Sequence, residues 1–206
     1  VPLSIVKKRW FKGENAVRAW FFYAWNALMS RYDADVMVKG QTFHLTEGET
    51  ICTRSYLSES LGIKDSMAKS STDSLKRTGA IAVKQEVISK DINNAKNSVS
   101  RVAVNGIPTP NEPYVKMYFP VDVADFWSTP YLAQLYTYMV CNAWHENTWI
   151  VGTGCHAQQI TPGDFLFSYE KVAKALKCKQ WRFKELLKLL EKIGAITRVK
   201  RVGNRG

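Results

Sequence analysis

Apolar residues recur at three- and four-residue spacings over residues 14–31, and this spacing predicts a helix that buries one face. The buried stripe is expected to consist of Val17, Trp20, Phe21, Ala24, Trp25 and Leu28. A basic and aromatic arm at residues 4–13 leads into this helix. A short apolar run and a glycine predict a small hairpin at residues 33–43, followed by a turn at residues 46–49 and a short strand at residues 50–53.

Two shorter helices are predicted after this strand. Thr53 or Ser55 is placed to cap the first, and Gly62 ends it because glycine adopts the left-handed conformation at little cost. The inward positions of this helix are expected to be Tyr56, Leu57 and Leu61. The second helix is expected at residues 65–78. Its buried positions are expected to be Ala68, Ser71 or Thr72, and Leu75.

Strands are predicted at residues 80–88 and 98–104, with a polar loop at residues 89–97 between them. Helix, turn, helix and hairpin in this order are typical of a winged helix. In such a domain the second helix of the pair enters the DNA major groove, and the hairpin rests on the backbone. The first half of the chain therefore predicts a winged-helix domain.

The same pattern occurs a second time, 115 residues further along the chain. With that shift, Leu45-Thr46-x-Gly48 meets Ile160-Thr161-x-Gly163, and Gly79-Ala80-Ile81 meets Gly194-Ala195-Ile196. Nine of the thirty-nine positions from Leu45 to Val83 are identical in the two copies. An offset of this size suits a duplicated small domain better than a solenoid repeat.

The second copy is expected to have the same elements as the first. A helix is predicted at residues 131–146, and a loop region at residues 148–155. Ser168 is placed to cap a helix that ends near residue 176. The next helix, at residues 180–193, has the clearest amphipathic pattern in the chain, and residues 195–202 begin a wing. Its buried positions are expected to be Phe183, Leu186, Leu187, Leu190 and Ile193.

These elements predict a mainly α fold with small β wings, of the α+β class, built from two tandem winged-helix domains. Residues 1–107 form the first domain with its basic arm, and residues 129–206 form the second with a truncated wing. Residues 108–128 are expected to be a proline-containing linker with a short helix. The missing initial methionine suggests that the sequence is a fragment.

The charge of the chain indicates an anionic partner. The formal net charge is +11 and the pI is about 9.5, which favours nucleic acid first and an acidic membrane second. The excess is concentrated at the carboxyl end, where residues 177–206 carry +8 and the matching residues 62–91 carry +2. No apolar run approaches the roughly 20 residues of a membrane-spanning helix. Four cysteines without CxxC spacing favour reduced thiols in a cytoplasmic protein.

The candidate DNA contacts lie on the second helix of each pair and on the second wing. Lysines there would neutralise phosphates, while Gln180 and Arg182 are candidates to contact base edges. In the second copy the candidates are Lys179, Gln180, Trp181, Arg182, Lys184, Lys188, Arg198, Lys200 and Arg201. In the first copy they are Lys64, Ser66, Lys69, Ser70, Lys76 and Arg77. The alternative reading is a solvated helix face, or, in the first copy, a surface for protein contact.

Neither catalysis nor a cofactor is predicted. The chain lacks a phosphate-binding glycine loop, GxSxG, HExxH and a dinucleotide-binding fingerprint, so no catalytic residue is assigned. Tyrosines 131, 136 and 138 suggest strand-nicking chemistry but alternate with core positions in one helix. The one conceivable metal set is Cys141, His145, Cys155 and His156. Zinc is not expected, because adjacent cysteine and histidine do not easily face the same tetrahedral centre.

One run of residues resembles a known family. Gly40-Gln41-x-x-His44-Leu45-Thr46-x-Gly48-Glu49 through Leu61-Gly62-Ile63 and Leu75-Lys76-x-Thr78-Gly79-Ala80-Ile81 is similar to the amino-terminal winged helix of bacteriophage and plasmid replication proteins, the replisome organisers. The pattern recurs from Ile160 to Ile196. The resemblance implies binding of double-stranded origin DNA or assembly of a replication complex with other replication proteins. The tandem copy and the weakly basic first recognition helix depart from the family.

Three functions follow from these expectations. The first is double-stranded DNA binding in replication initiation, or its control, on a mobile element. The second is a transcriptional regulator of the same architecture. The third is an assembly adaptor whose winged helices bind protein. No membrane partner is expected, and whether the chain forms a homodimer is left open.

Overall fold

A computed structural model describes residues 3–29, 33–38, 40–90, 96–105, 126, 128–151 and 157–197. The chain forms two compact units, Val1–Tyr114 and Val115–Gly206. Within the described residues the fold combines α-helices with small antiparallel sheets, which is compatible with the expected α+β class. The predicted linker elements before Phe126 lie outside the described residues.

The first unit opens with two short 3-10 helices, Leu3–Lys7 and Arg9–Lys12. The elements that follow are α1 (Glu14–Met29), β1 (Ala34–Val38), β2 (Gln41–Leu45), β3 (Glu49–Cys52), α2 (Arg54–Leu61), α3 (Asp65–Arg77), β4 (Ile81–Lys90) and β5 (Lys96–Val104). β1 and β2 form the predicted hairpin. β5 pairs antiparallel with both β3 and β4, so the second sheet has the order β3-β5-β4.

The long helix α1 is the centre of this unit, because it packs against α2, α3, β3 and β5. The second 3-10 helix packs against the aromatic side of α1, and its Trp10 ring stacks on the Trp20 ring with 5.4 Å between the centroids. The prediction that Trp25 is buried is wrong, since 44% of it is exposed. Aromatic spacing identifies the inner face of a helix, but it does not show how far neighbouring elements extend along that face.

The termini of α2 follow the predicted capping chemistry. Thr53 is the N-cap, and its hydroxyl accepts a hydrogen bond from the Tyr56 amide at 3.2 Å. Gly62 ends the helix in the left-handed conformation with φ of +59°. Leu57 and Leu61 are buried as predicted, whereas Tyr56 is 53% exposed and places its ring edge-on to Phe22 on the outside of the unit. The inward position predicted for Tyr56 is therefore wrong.

Polar contacts fix α2 and α3 on α1. The buried Arg18 guanidinium donates to the carbonyl of Leu61 at the end of α2. On α3, the Thr72 hydroxyl lies 3.0 Å from that of Tyr23, whose pKa burial raises to about 12. Together with the buried Leu75, these contacts turn one side of α3 inward and leave the other side free.

The β4–β5 hairpin is longer than predicted. Polarity suggested a loop at residues 89–97, but the strands reach Lys90 and Lys96, which are paired with each other. The outer part of this hairpin is a ribbon that pairs with no strand beyond its own two among the described residues. One face of this ribbon is covered, because Val99 is buried in a cluster with Phe43 and Leu45, and Ile88 packs against that cluster. The residues nearest the tip, 89–90 and 96–98, are all polar, so hydrophobic spacing could not identify the ends of the two strands.

The second unit contains α4 (Leu132–Cys141), β6 (Thr148–Val151), β7 (Ala157–Ile160), α5 (Tyr169–Ala175) and α6 (Gln180–Lys192). The prediction of a helix to residue 146 is wrong. The chain leaves α4 at Cys141 because the Trp144 amide donates to the Asp164 carbonyl, and the Gly163 amide donates to the Trp144 carbonyl, each at 2.9 Å. The prediction of a loop over residues 148–155 is also wrong in part, because β6 pairs antiparallel with β7.

The core of the second unit lies between α4, α5 and α6. Ile193 is only half-buried, against the prediction, because it follows the last turn of α6. Ser168 occupies the N-cap position of α5 as predicted, although its side chain makes no capping hydrogen bond. The fully buried side chains include Leu132, Leu135, Ile160, Leu176, Phe183, Leu186, Leu187 and Leu190. Of the predicted wing, residues 198–202 lie outside the described part of the chain.

The two units share local geometry at the 115-residue shift. α2 and α5 begin at residues 54 and 169, and α3 and α6 cover residues 65–77 and 180–192. The Thr46 amide donates to the Glu49 carboxylate, and the Thr161 amide donates to the Asp164 carboxylate in the same way. Gly62 has its counterpart in Lys177, which is also left-handed with φ of +54°. The counterpart of β3, residues 164–167, is not a strand.

Candidate nucleic-acid interface

α6 has one buried side and one cationic side. Phe183, Leu186, Leu187 and Leu190 anchor it in the core. The predicted contact residues lie at its N-cap and on the outer side, and all except the half-buried Arg182 are exposed. These residues are Lys179, Gln180, Trp181, Arg182, Lys184 and Lys188. The core therefore presents them together on one surface of the second unit.

Two of the outer cations have partners within the protein. Arg182 forms an ion pair with Glu185, with 3.1 Å between Nη1 and Oε2, so the predicted base-contacting guanidinium is not free. The Lys184 Nζ lies 5.4 Å from the centroid of the Tyr169 ring. Since an exposed ion pair is worth about 1 kcal/mol or less, Arg182 can exchange Glu185 for a phosphate or a base edge at small cost.

Further exposed cations lie on α5 and on the turn that follows it, and they were not among the predicted contact residues. Lys171, Lys174 and Lys177 are all exposed there. Residues 169–192 carry eight basic and three acidic side chains, a net charge of +5, whereas residues 54–77 carry five and three, a net charge of +2. The regular spacing of lysines on α5 was a usable signal, but the prediction considered only the second helix of the pair.

The outer side of α3 is chemically different from that of α6. Small polar and charged side chains line a shallow depression there, and Lys64 is exposed at the N-cap. The depression is formed by Ser66, Lys69, Ser70, Asp73, Lys76 and Arg77. Within it the Arg77 Nε donates to the Asp73 carbonyl at 3.4 Å. Five of the six first-copy candidates thus line one helix face, with a carboxylate among them, and the sixth, Lys64, is exposed at the N-cap.

The β4–β5 hairpin is held at its base by Arg101. Its guanidinium lies 3.0 Å from Glu86 Oε1 and 3.1 Å from Glu49 Oε2, and it also donates to the His44 carbonyl at 2.8 Å. Burial acts to raise the pKa of Glu49, but hydrogen bonds from Thr46 and the charge of Arg101 outweigh it and lower that pKa. Arg101 is therefore a structural cation, a role that was not predicted from the sequence.

The second wing and the conceivable metal set are only partly described. Arg198, Lys200 and Arg201 lie outside the described residues, as do Cys155 and His156. Within the residues that the structure describes, no group of three or more His, Cys, Asp or Glu side chains could hold a metal ion. Cys141 and His145 therefore have no further ligand in the described region.

The tyrosines of α4 take part in packing. Tyr136 meets Phe126 edge-on at 5.7 Å between ring centroids, and burial raises its pKa. Tyr138 meets Phe165 in the same way at 6.1 Å. Tyr131 precedes α4 in the left-handed conformation with φ of +68°. Tyr136 and Tyr138 therefore both contact aromatic rings of the second unit.

Comparison with known proteins does not assign the chain to a family. No protein-family model matches the chain, and no curated protein matches it. In the part of the chain that the structure describes, every helix is too short or too polar to cross a membrane. The function must therefore be inferred from the residues and the geometry of the two units.

Proposed function

We propose that the chain binds double-stranded DNA through two tandem winged helices, and that it acts in replication initiation or its control on a phage, plasmid or other mobile element. The observation that carries DNA binding is the exposed cationic side of α6, which is anchored by four buried apolar side chains. The replication role is supported by the resemblance of both copies to replisome organisers. No cofactor or catalytic residue is assigned.

The element order of the first unit supports a winged helix. After α1 and the β1–β2 hairpin come β3, the helix pair α2 and α3, and the hairpin β4–β5, and β3 completes a three-stranded antiparallel sheet with that hairpin. In this architecture α3 takes the place of the recognition helix and β4–β5 that of the wing. The second unit supports the same assignment through α5 and α6: α6 has the bounds of α3 at the 115-residue shift, and α5 begins at the counterpart of the first residue of α2 and ends one residue earlier.

The dimensions and charges of α6 suit a major groove. The helix has 13 residues, which at about 1.5 Å per residue gives a length of about 20 Å. A groove about 12 Å wide admits one such helix. Lys184 and Lys188 would meet phosphates, while Gln180 and Arg182 on the first turn would approach base edges. Lys174 and Lys177, on the preceding helix and turn, add further cations for the backbone.

α3 is the weaker DNA contact by the same criteria. Lys69, Lys76 and Arg77 offer charge to phosphates, and the serines offer hydrogen bonds, but Asp73 opposes a polyanion. Joining two modest contacts in one chain raises the overall affinity through effective concentration, provided that both reach the same duplex.

A protein-binding adaptor is the second candidate, and the face of α3 favours it. Met67 is 42% exposed on this helix, beside serines and a carboxylate, and such a surface suits a protein partner better than a phosphate backbone. Salt dependence separates the two functions. Phosphate contacts release counterions and give a steep fall of affinity with salt, whereas an adaptor that does not neutralise phosphates gives a flat response.

The central experiment measures duplex binding by the intact chain at several salt concentrations. A variant with Arg182→Ala and Lys184→Ala should bind about tenfold or more weakly and should lose about 0.9 of the salt slope for each phosphate contact removed. The matched control is Lys8→Ala with Lys12→Ala, because it removes the same charge from exposed positions of the other unit. Equal losses in both variants, or no loss in the first, would exclude α6 as the contact surface.

A second pair of variants tests the first unit. Lys69→Ala with Lys76→Ala should weaken duplex binding less than the α6 pair if α3 is the lesser contact. No effect on DNA, together with loss of a replication-protein partner, would assign α3 to protein binding.

Footprinting on the DNA of the mobile element then distinguishes replication from transcription, since protection is expected at the origin and not at a promoter.

A further inference from the structure

The first turn of α6 carries a tryptophan, Trp181, whose indole lies mostly outside the packed core. Trp181 is 58% exposed, although tryptophan is among the most apolar large side chains. The core beneath it is already filled, because Phe183, Leu186 and Leu187 are fully buried. Packing of α6 therefore does not account for an indole at this position.

The first unit shows that the helix pair forms without it. At the 115-residue shift Trp181 corresponds to Ser66, which is exposed on the first turn of α3 and lines the depression on that helix. The two helices have the same length and the same bounds at this shift. The indole is therefore an addition to the outer surface of the second unit.

The surroundings of Trp181 indicate what covers it. Lys179 and Lys184 are exposed within one turn of it, in a helix pair of net charge +5, and this combination of aromatic and cationic groups is the one that holds single-stranded nucleic acid. Trp149 is more exposed, at 66%, but it lies on β6 opposite Gln159, within a stretch from residue 128 to residue 168 that contains no lysine or arginine. Charge complementarity thus distinguishes Trp181 from the other exposed indole.

An intact duplex does not offer a partner for this ring. In B-form DNA each base is stacked on its neighbours, so the major groove presents base edges and hides base faces. An indole on a recognition helix reaches a base face only where the duplex is opened or a base is turned out of the stack. We infer that Trp181 stacks on an unpaired base, and that the second unit prefers DNA with an open segment to a fully paired duplex. This inference rests on the proposed DNA binding by α6.

The test compares one duplex with the same duplex carrying a short central bubble of unpaired bases. The intact wild-type chain should bind the bubble roughly tenfold more tightly, which lies within the range measured for stacking of one base on an aromatic side chain. Trp181→Ala should remove this preference, so that the variant binds the bubble and the paired duplex with equal affinity. Trp181→Phe should keep part of the preference, because a smaller ring still stacks.

Trp149→Ala is the matched control, since it removes an exposed indole from the same unit, and it should keep the full preference. Equal binding of bubble and duplex by the wild type would overturn the stacking inference and leave duplex binding intact. A preference that survives Trp181→Ala would also overturn it. Failure of the wild type to bind either DNA would overturn the proposed function, and the inference with it.

Discussion

Replacing Lys177 by glycine is expected to stabilise the second unit, because this lysine ends α5 in a conformation that glycine adopts more easily. Lys177 has φ of +54°, and the left-handed region costs an L-residue about 1–2 kcal/mol. Relief of this cost is offset by about 0.5–1 kcal/mol, because glycine has more conformational freedom in the unfolded chain. Lys177 is exposed, so little packing is lost. The free energy of unfolding should rise by about 0.5–1 kcal/mol.

The first unit provides the reciprocal experiment. Gly62 occupies the same position with φ of +59°, and a Cβ built on it would meet no atom within 4 Å. Gly62→Ala should therefore destabilise the unit by about 1 kcal/mol through backbone conformation alone. Gly13→Ala is the control, because Gly13 has a negative φ of −102° and its Cβ would make ordinary contacts at 3.5 Å and 3.6 Å. That variant should stay within about 0.5 kcal/mol of the wild type.

Urea unfolding of the full chain measures these changes, with hydrogen exchange to assign each transition to a unit. With a slope of about 1–3 kcal/mol per molar urea, a gain of 0.5–1 kcal/mol moves the midpoint by a few tenths molar, and the slope itself should not change. A Lys177→Gly variant less stable than the wild type would refute the reasoning, since the lysine side chain would then stabilise more than its backbone costs. An equal loss in Gly13→Ala and Gly62→Ala would refute it as well.

Three further predictions concern acid stability, the core and the thiols. The pKa of Glu49 is lower in the folded protein than its ordinary value of 4.5. The ionised carboxylate therefore stabilises the folded state above pH 4.5, and this stabilisation is lost as the pH falls through the folded pKa. Glu49→Gln should reduce the resulting acid-induced drop in the urea midpoint. Leu190→Ala removes a fully buried side chain and should lower the free energy of unfolding of the second unit by about 2–5 kcal/mol in urea titrations. Burial raises the pKa of Cys52 to about 12, so mass spectrometry after alkylation at pH 8 should find the less buried Cys178 modified first and Cys52 modified only on unfolding.

The sequence identified elements whose signals are local. Thr53 caps α2 and Gly62 ends it, because capping depends on residues within one turn. The buried face of α6 followed from its apolar spacing for the same reason. The end of α4 was missed because it depends on hydrogen bonds between Trp144 and the turn at residues 163–164, which are distant in the sequence. The exposure of Tyr56 likewise depends on what the surrounding elements leave uncovered.

Part of the candidate site could be predicted, because the face of a helix on which a residue lies follows from local spacing. Once the inner side of α6 was known, helical geometry placed Lys184 and Lys188 on the outer side. The pairing of Arg182 with Glu185 was not predicted, although the three-residue spacing permits it, because an exposed pair competes with solvent. The lysines of α5 were missed because helix-turn-helix reasoning concentrates on the recognition helix.

The Arg101 contacts have a consequence for sequence variation. One guanidinium pairs with both Glu49 and Glu86, which come from two different strands on either side of β5. Loss of Arg101 would leave Glu49 without its ion-pair partner and Glu86 with Lys84 alone, 3.3 Å from its Oε1, so the link from β5 to the two carboxylates would be lost and the base of the hairpin would loosen. In chains that share this sheet, positions 49 and 101 are therefore expected to covary, with a neutral residue at position 49 wherever arginine is replaced.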